Sequence, residues 1–478
     1  MKMKKFLIIL TSGLLLTACV KDDINTDPNS AYSTVPGSLI TYAQKELSDY
    51  VNTPNVNENN FRLTMQYWQE TTYINESIYD FVNRNVSNQI FRDNYVNVIN
   101  NLKQAKLLIN AYSPTPAQAT TWPVTRKNQL AIADLLQVYS YQLLVDTFGN
   151  VPYIQSNDLV AYPLPAYDDA ATIYQDMIKR TTNDIADLST GSSFGVNDKY
   201  YGGDVVKWKK FANSLKLKLG IALADVNPTL AQSTVTSAIA GGVIDSAASS
   251  CQFAYLAPSP NFNPLYENLV ASGRDDFFAA NTLVDFMNAS NDPRIGKFYK
   301  NVGGIYKGQE VGVGGEFPDF SAPGTFAYTT TTSGNILTYT EVTFYLAEAA
   351  ARWNISSAAT AYNTAVTESI TEWGGTPAEA TTFLTAHPYD AANWKKSIGE
   401  QAWVAMYNQA LTSWNFWRRL DFPVLLAPAN AVPNAGGKVP VRMAYPVLEQ
   451  QTNSTNWTAA STAIGGDLMT TKLFWDKF

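Results

Sequence analysis

Six side chains, Phe91, Tyr95, Val98, Leu102, Ala105 and Ile109, follow one another at steps of 4, 3, 4, 3 and 4. An α-helix with one buried face is the structure that lines up residues at that spacing. The pattern recurs along the chain. Tyr174, Ile178, Ile185 and Leu188 share a face within residues 168–188, and Trp208, Phe211, Leu215, Leu219 and Ala222 within 205–224. Val342, Tyr345, Leu346, Ala349, Ala350 and Trp353 form a stripe whose small residues let a second helix approach closely. Residues 126–147 are apolar over a wide arc, which predicts a helix buried on more than one side. Further helices are expected over 38–50, 60–73, 277–288, 357–372, 377–384 and 390–416. Such stripes on paired helices predict a mainly α fold of tetratricopeptide-like helix-turn-helix repeats. Long insertions between the pairs break any fixed 34-residue period.

Between about 241 and 339 the character changes. Gly, Pro, Ser and Thr dominate, and an insertion this long without regular structure is often functional. Residues 73–81 read as a second loop, polar and aromatic. Gly312, Gly314 and Gly315 are followed by Phe317-Pro318, not by the helix a phosphate cradle requires.

The N-terminus carries an address. Lys2, Lys4 and Lys5 precede an apolar run ending at Leu16-Thr17-Ala18-Cys19. The run is about half the ~20 residues of a spanning helix, so it reads as an export signal over residues 1–18. Cys19 then becomes a lipidated first residue, followed by an extended tether over 19–37 and a single helical body over 38–478. Several acyl chains hold a protein to a bilayer far better than one. An ordinary secretory signal with a chance cysteine is the alternative.

Losing the three lysines takes the net charge from −7 to −10. Without basic clusters the chain has no footprint for nucleic acid. With Cys19 acylated, Cys251 is the one remaining thiol, so neither an internal disulfide nor a cysteine zinc site is expected. His387 is the single histidine, which removes most histidine-based catalysis and metal binding. It is read as a structural or surface residue. Lys209, Lys210, Lys216 and Lys218 read as a solvated helix face. Glu341 and Glu348, seven apart, read as partners in caps and salt bridges, Asp292-Pro293-Arg294 as a local ion pair, and Arg418 or Arg419 as capping carbonyls or pairing with Asp421. No catalytic residue, cofactor or metal is expected. What is abundant is aromatic surface, 27 Tyr, 22 Phe and 11 Trp, beside many Asn, Ser and Thr. Rings stack on sugar C–H faces while amides and hydroxyls bond sugar hydroxyls.

Several stretches, in order, resemble the SusD/RagB family of outer-membrane nutrient-binding lipoproteins, most closely its SusD-like second subgroup. They are Cys19 with Lys21-Asp22-Asp23, Asn25-Thr26-Asp27-Pro28-Asn29, and Asp146-x-Phe148-Gly149-x-Val151-Pro152-Tyr153. Trp208-x-x-Phe211-Ala212-Asn213-Ser214-Leu215, Asn291-Asp292-Pro293-Arg294, the 339–350 segment, Trp417-Arg418-Arg419 and Gly465-Gly466-Asp467 to Trp475 complete the set. The resemblance implies a scaffold of four helix-turn-helix units and no catalysis. It also implies a surface-exposed lipoprotein that captures oligosaccharide and passes it to a TonB-dependent, SusC-like outer-membrane transporter. Ligand contacts in the family tend to come from early aromatic loops and the central insertion. On that basis Trp68, Tyr73, Tyr79, Tyr266, Tyr306 and Phe317 are the stacking candidates, and Asn75, Asn263 and Arg274 the hydrogen-bonding ones. Each of them also has a plain packing explanation. Peptide cargo, as in RagB-like members, and a helical glycoside hydrolase are the alternatives.

Overall fold

The stripe that starts at Phe91 winds through Val86–Phe91, a π-type segment Arg92–Asn100 and Asn101–Ala111 without a break. It lies against Pro36–Asn52, whose Ile40, Ala43 and Leu47 are buried. This computed structural model describes residues 34–478. The signal, Cys19 and most of the tether lie outside the described residues. The first helix begins two residues before the expected start, with Pro36 in its first turn, where a missing N–H costs nothing.

The longest helix, Trp122–Phe148, has every residue from Ala131 to Phe148 buried except Asp134, as its all-round apolar arc implies. It stops at Gly149, at φ +88°, a conformation that favours glycine. Ala170–Asp187 packs on it and Val205–Ala222 follows, capped by Asp169 and Asp204 through their carboxylates. Pro228–Gly241, which no stripe announced, pairs with Val205–Ala222. Its Thr and Ser residues mask the period, yet Asn227 caps it and Gly220 lets it approach: a Cβ there would meet Thr234 and Val235 at 3.0 Å. In the second half Tyr339–Trp353 pairs with Ala358–Glu372, then Pro377–Ala386 follows with a full capping box between Thr376 and Glu379. The fold is mainly helical, built of tetratricopeptide-like helix pairs. Among the described residues no helix is long and apolar enough to cross a membrane.

Three expected helices change. Within 60–73 only Phe61–Thr64 is helical; Gln66 turns left-handed, and Trp68–Glu70 becomes a strand. Its partner is Phe277–Ala279, antiparallel, with Trp68 opposite Ala279 and Glu70 opposite Phe277. The helix expected over 277–288 is therefore strand first and helix only over Asn281–Ala289. The helix expected over 390–416 is two, Trp394–Ala405 and Ala410–Leu420, separated by a turn.

The lysine cluster also divides. Lys209 is exposed, but Lys216 and Lys218 are buried. Lys216 donates to Ser237 Oγ (2.9 Å) and Lys218 pairs with Glu341 (3.1 Å), because Pro228–Gly241 and Tyr339–Trp353 cover that face. Glu348 pairs with Arg419 and Arg352, and Arg294 with Asp292, all inside the body. Arg418 donates to the carbonyls of Asp146 (2.7 Å) and Val441 (2.9 Å), and neither arginine pairs with Asp421. The tail crosses the helices: Trp475 Nε1 donates to Asp146 and Tyr445 Oη to the Asn150 carbonyl.

Candidate functional site

The short ladder between Trp68–Glu70 and Phe277–Ala279 ties the early loop to the central insertion. Thr71 extends the contact: its N–H donates to the Asp276 carbonyl (2.9 Å) and its hydroxyl to that of Asp275 (2.9 Å). A cleft of about 350 Å³ opens where these segments meet. Its walls are the turn at Pro54–Asn57, the loop after Glu70, Arg84, and the insertion at Asn268 and Arg274–Phe277.

Each wall is fixed locally. Asn59 Nδ2 donates to the Tyr50 carbonyl (3.0 Å), anchoring the first turn to the end of Pro36–Asn52. Asn55 Oδ1 accepts from the N–H and the amide of Asn57, both at 3.1 Å. In the second wall the loop doubles back, with Asp80 N–H donating to the Asn75 carbonyl (2.8 Å) and Tyr79 in the left-handed region. That leaves Tyr73 75% exposed and Asn75 exposed. In the third wall Arg274 lies over Asp276 at 3.0 Å.

The floor is acidic. Glu70 and Glu76 are 5% and 1% exposed. Ser77 donates to Glu70 Oε2 through its N–H (2.8 Å) and its hydroxyl (2.9 Å). Arg84 Nε donates to Glu76 Oε1 at 2.5 Å. Burial, together with the adjacent Glu76, pushes the Glu70 carboxyl up to about 8. Nearby Glu58 is raised to about 7, chiefly by burial and then by Asp93.

Three sequence candidates, Tyr73, Asn75 and Arg274, line this one cleft. Three others are turned inward, so they offer no surface to a ligand. Trp68 is buried, its indole N–H bonded to Tyr407 Oη (2.7 Å) and its ring packed on Phe277, behind the cleft wall. Tyr79 is buried beside Phe81. Asn263 is buried and caps the turn at Pro264–Tyr266, its Oδ1 accepting from Leu265 N–H (2.7 Å). Tyr266 and Tyr306 are half-buried away from the cleft, Tyr266 against Phe262. Phe317 is 37% exposed and packs on Phe278 at 4.6 Å.

Asn55, Asn57, Arg84 and the Glu70–Glu76 floor are additions that the residue-by-residue reading missed. The run Pro54-Asn55-Val56-Asn57-Glu58-Asn59-Asn60 was the available signal, a dense set of amides without an apolar period.

Chemically, the cleft sets one free aromatic face among amide, guanidinium and carboxyl groups. That combination stacks on and hydrogen-bonds a hydroxyl-rich ring. A glycosidase holds its carboxyl groups apart across the scissile bond. Glu70 and Glu76 instead are nearly sealed from solvent, Glu70 bonded to Ser77 and Glu76 to Arg84. Among the described residues no group of three or more His, Cys, Asp or Glu is arranged to hold a metal ion. His387 Nε2 lies 2.9 Å from the Ser290 carbonyl, at the end of Pro377–Ala386.

Residues 28–446 match the SusD-like family model described as starch-binding and associating with the outer membrane. Solved structures align over nearly all of both chains. A chitin-binding protein is similar at TM-score 0.79 and 25% identity, covering 93% of this chain and 100% of its own. A chitin-binding SusD homologue of Flavobacterium johnsoniae gives 0.77 and 21%, with 92% and 98% covered. A SusD homologue of Bacteroides uniformis gives 0.77 and 22%, with 94% and 100% covered. No curated protein sequence matches the chain.

Proposed function

The chain belongs to the SusD-like family of outer-membrane-associated, starch-binding proteins, and from that premise we propose that it captures an oligosaccharide for uptake. Cys19 carries the lipid anchor, the body faces the cell exterior, and the bound glycan passes to a SusC-like, TonB-dependent transporter. The protein works by equilibrium binding and leaves the glycan intact.

The observation that carries this reading is the exposed ring of Tyr73 beside Asn55, Asn57, Asn75 and Arg274 in one cleft. A pocket with a preformed stacking face and a few convergent polar groups is what a sugar-binding site requires. Anchoring beside a pore replaces high affinity with high local concentration, so weak, reversible binding serves delivery. The chitin-binding descriptions of two similar proteins support testing β-linked amino-sugar polymers beside starch-type ones.

The test is retention on gel-immobilised and insoluble polysaccharides, chitin and starch among them, with release of shorter products followed in the same tubes. Retention without shortening is expected. Retention on a peptide library with none on any glycan would replace the glycan with peptide cargo, and shortened products would make the protein a hydrolase.

A further inference from the structure

Arg84 and Arg274 are the cations that line the cleft, and each already has a carboxylate of its own. Arg84 Nε lies 2.5 Å from Glu76 Oε1, and Arg274 Nε lies 3.0 Å from Asp276 Oδ2. The remaining carboxyl of the lining, Glu70, takes both donors of Ser77 on Oε2. Neutral or ionised, it adds no positive charge. Among the described residues no lysine lines the cleft. From this pairing we propose that Glu76 and Asp276 are specificity-determining residues. They mask Arg84 and Arg274, so that the cleft takes an uncharged glycan and rejects chains that carry carboxylate or sulfate groups. The proposal rests on the reading of the cleft as the glycan site.

Both guanidiniums are held through Nε, which leaves Nη donors for a ligand. Arg84 Nη2 makes only a long contact, 3.5 Å, to Asn57 Oδ1. The carboxylates beside them accept. A sugar hydroxyl both donates and accepts, so one hydroxyl bridges a guanidinium and its carboxylate and satisfies each. A carboxylate or sulfate on the ligand only accepts. It gains a guanidinium fork that suits its oxygens, but it stands against Glu76 or Asp276, a like charge to which it donates nothing. Repulsion built against the wrong partner is one way a site discriminates. The pairs sit on different walls, Arg84–Glu76 beside the early loop and Arg274–Asp276 on the insertion. The strand pairing sets the second one in place. The Asp276 carbonyl accepts from Thr71 N–H (2.9 Å) just before Phe277–Ala279, and Arg274 N–H donates to Ser272 Oγ (3.2 Å). The net charge of −7 on the whole sequence works in the same direction, against polyanions.

The test uses matched affinity gels that differ only in charge: a panel of neutral polysaccharides, starch and glycol chitin among them, against their carboxymethylated forms. The readout is the ratio of acidic to neutral retention at low salt. For the unsubstituted chain that ratio should be about one tenth or less. Asp276→Asn leaves Arg274 unmasked. The side chains of this pair are 61% and 34% exposed, so the fold should be kept. The ratio should rise about tenfold in that variant and fall back at about 0.5 M salt, where exposed charges are screened. Glu76→Gln, which unmasks Arg84, should move the ratio in the same direction. Loosening of the loop alone would weaken retention on both gels and leave the ratio where it was. Equal retention of the unsubstituted chain on acidic and neutral gels, or an unchanged ratio in Asp276→Asn, would overturn the masking and leave glycan capture in place. Absence of retention across the whole panel, or neutral retention that survives Tyr73→Ala, would instead sink the reading of the cleft as the glycan site, and the masking with it.

Discussion

Arg419 grips Glu348 with two nitrogens, Nε at 2.9 Å and Nη2 at 2.7 Å, and both side chains are shut away from solvent between the Tyr339–Trp353 and Ala410–Leu420 helices. Arg352 adds a second guanidinium on Glu348 at 2.9 Å and carries the link on to Asp225 at 2.7 Å. Two helices far apart in sequence are thus fastened by one buried carboxylate.

Truncating that carboxylate should cost far more than a surface pair would. Glu348→Ala leaves Arg419 buried without a counter-charge, and about 3–5 kcal/mol of stability should be lost. Urea denaturation measures it. A loss under about 1 kcal/mol would mean that the pair is not the fastening described. The pH sign follows from the same contacts. Burial alone would raise Glu348, but Arg419 and Arg352 outweigh it and hold the carboxyl below its ordinary value. Its contribution is present above the unfolded carboxyl value of 4.5 and fades as pH falls through the depressed folded value.

Two aromatic substitutions should behave oppositely. Tyr73→Ala removes an exposed ring, so stability should change by less than about 0.5 kcal/mol while retention on glycan falls about tenfold. Trp68→Ala empties a buried site and should cost about 3–5 kcal/mol of stability. Thermal melts and affinity gels run on both variants separate the two roles.

Asp184 gives the alkaline limb of stability a structural source. Burial, then the charge of Asp134, pushes its carboxyl up to about 9. The folded state therefore holds a proton that the unfolded state has released above 3.8, and stability drains as pH rises through that window. The slope is about 1.4 kcal/mol per pH unit for one such group. Asp184→Asn, neutral at every pH, should flatten the decline measured by urea midpoints between about pH 5 and pH 9. An unchanged slope would show that Asp184 is ionised in the native protein.

The proposed lipid anchor at Cys19 has its own assay. Replacing Cys19 with Ala should abolish incorporation of labelled palmitate and move the protein out of the outer-membrane fraction. Incorporation that persists in that variant would place the lipid elsewhere.

Much of the scaffold could be read from residue spacing, because a helix that buries one face must repeat near 3.6. The Phe91 to Ile109 stripe and the Tyr339–Trp353 helix are cases in point. Pro228–Gly241 escaped because its buried face is made of small or polar residues, Ala231, Thr234, Val235 and Ala238, which leave only a faint stripe. Trp68 escaped for a different reason. Phe61 and Met65, at steps of 4 and 3 before it, fit a helical period, but pairing with Phe277–Ala279, some two hundred residues away, overrode the local preference and turned the indole inward. Long-range strand pairing leaves no periodic trace in so short a segment. The cleft was half visible for the same reason. Tyr73, Asn75 and Arg274 could be named from loop composition, whereas the Arg84–Glu76 pair in the cleft exists only once the loop folds back on itself.

Glycan is proposed to bind in the cleft between the early loop and the insertion. Hydrogen exchange on the folded chain at saturating oligosaccharide maps that contact directly. Protection is predicted at residues 54–57, 70–76 and 268–277, and it should disappear in Tyr73→Ala at the same glycan concentration. Saturable binding with protection confined to other segments would contradict it.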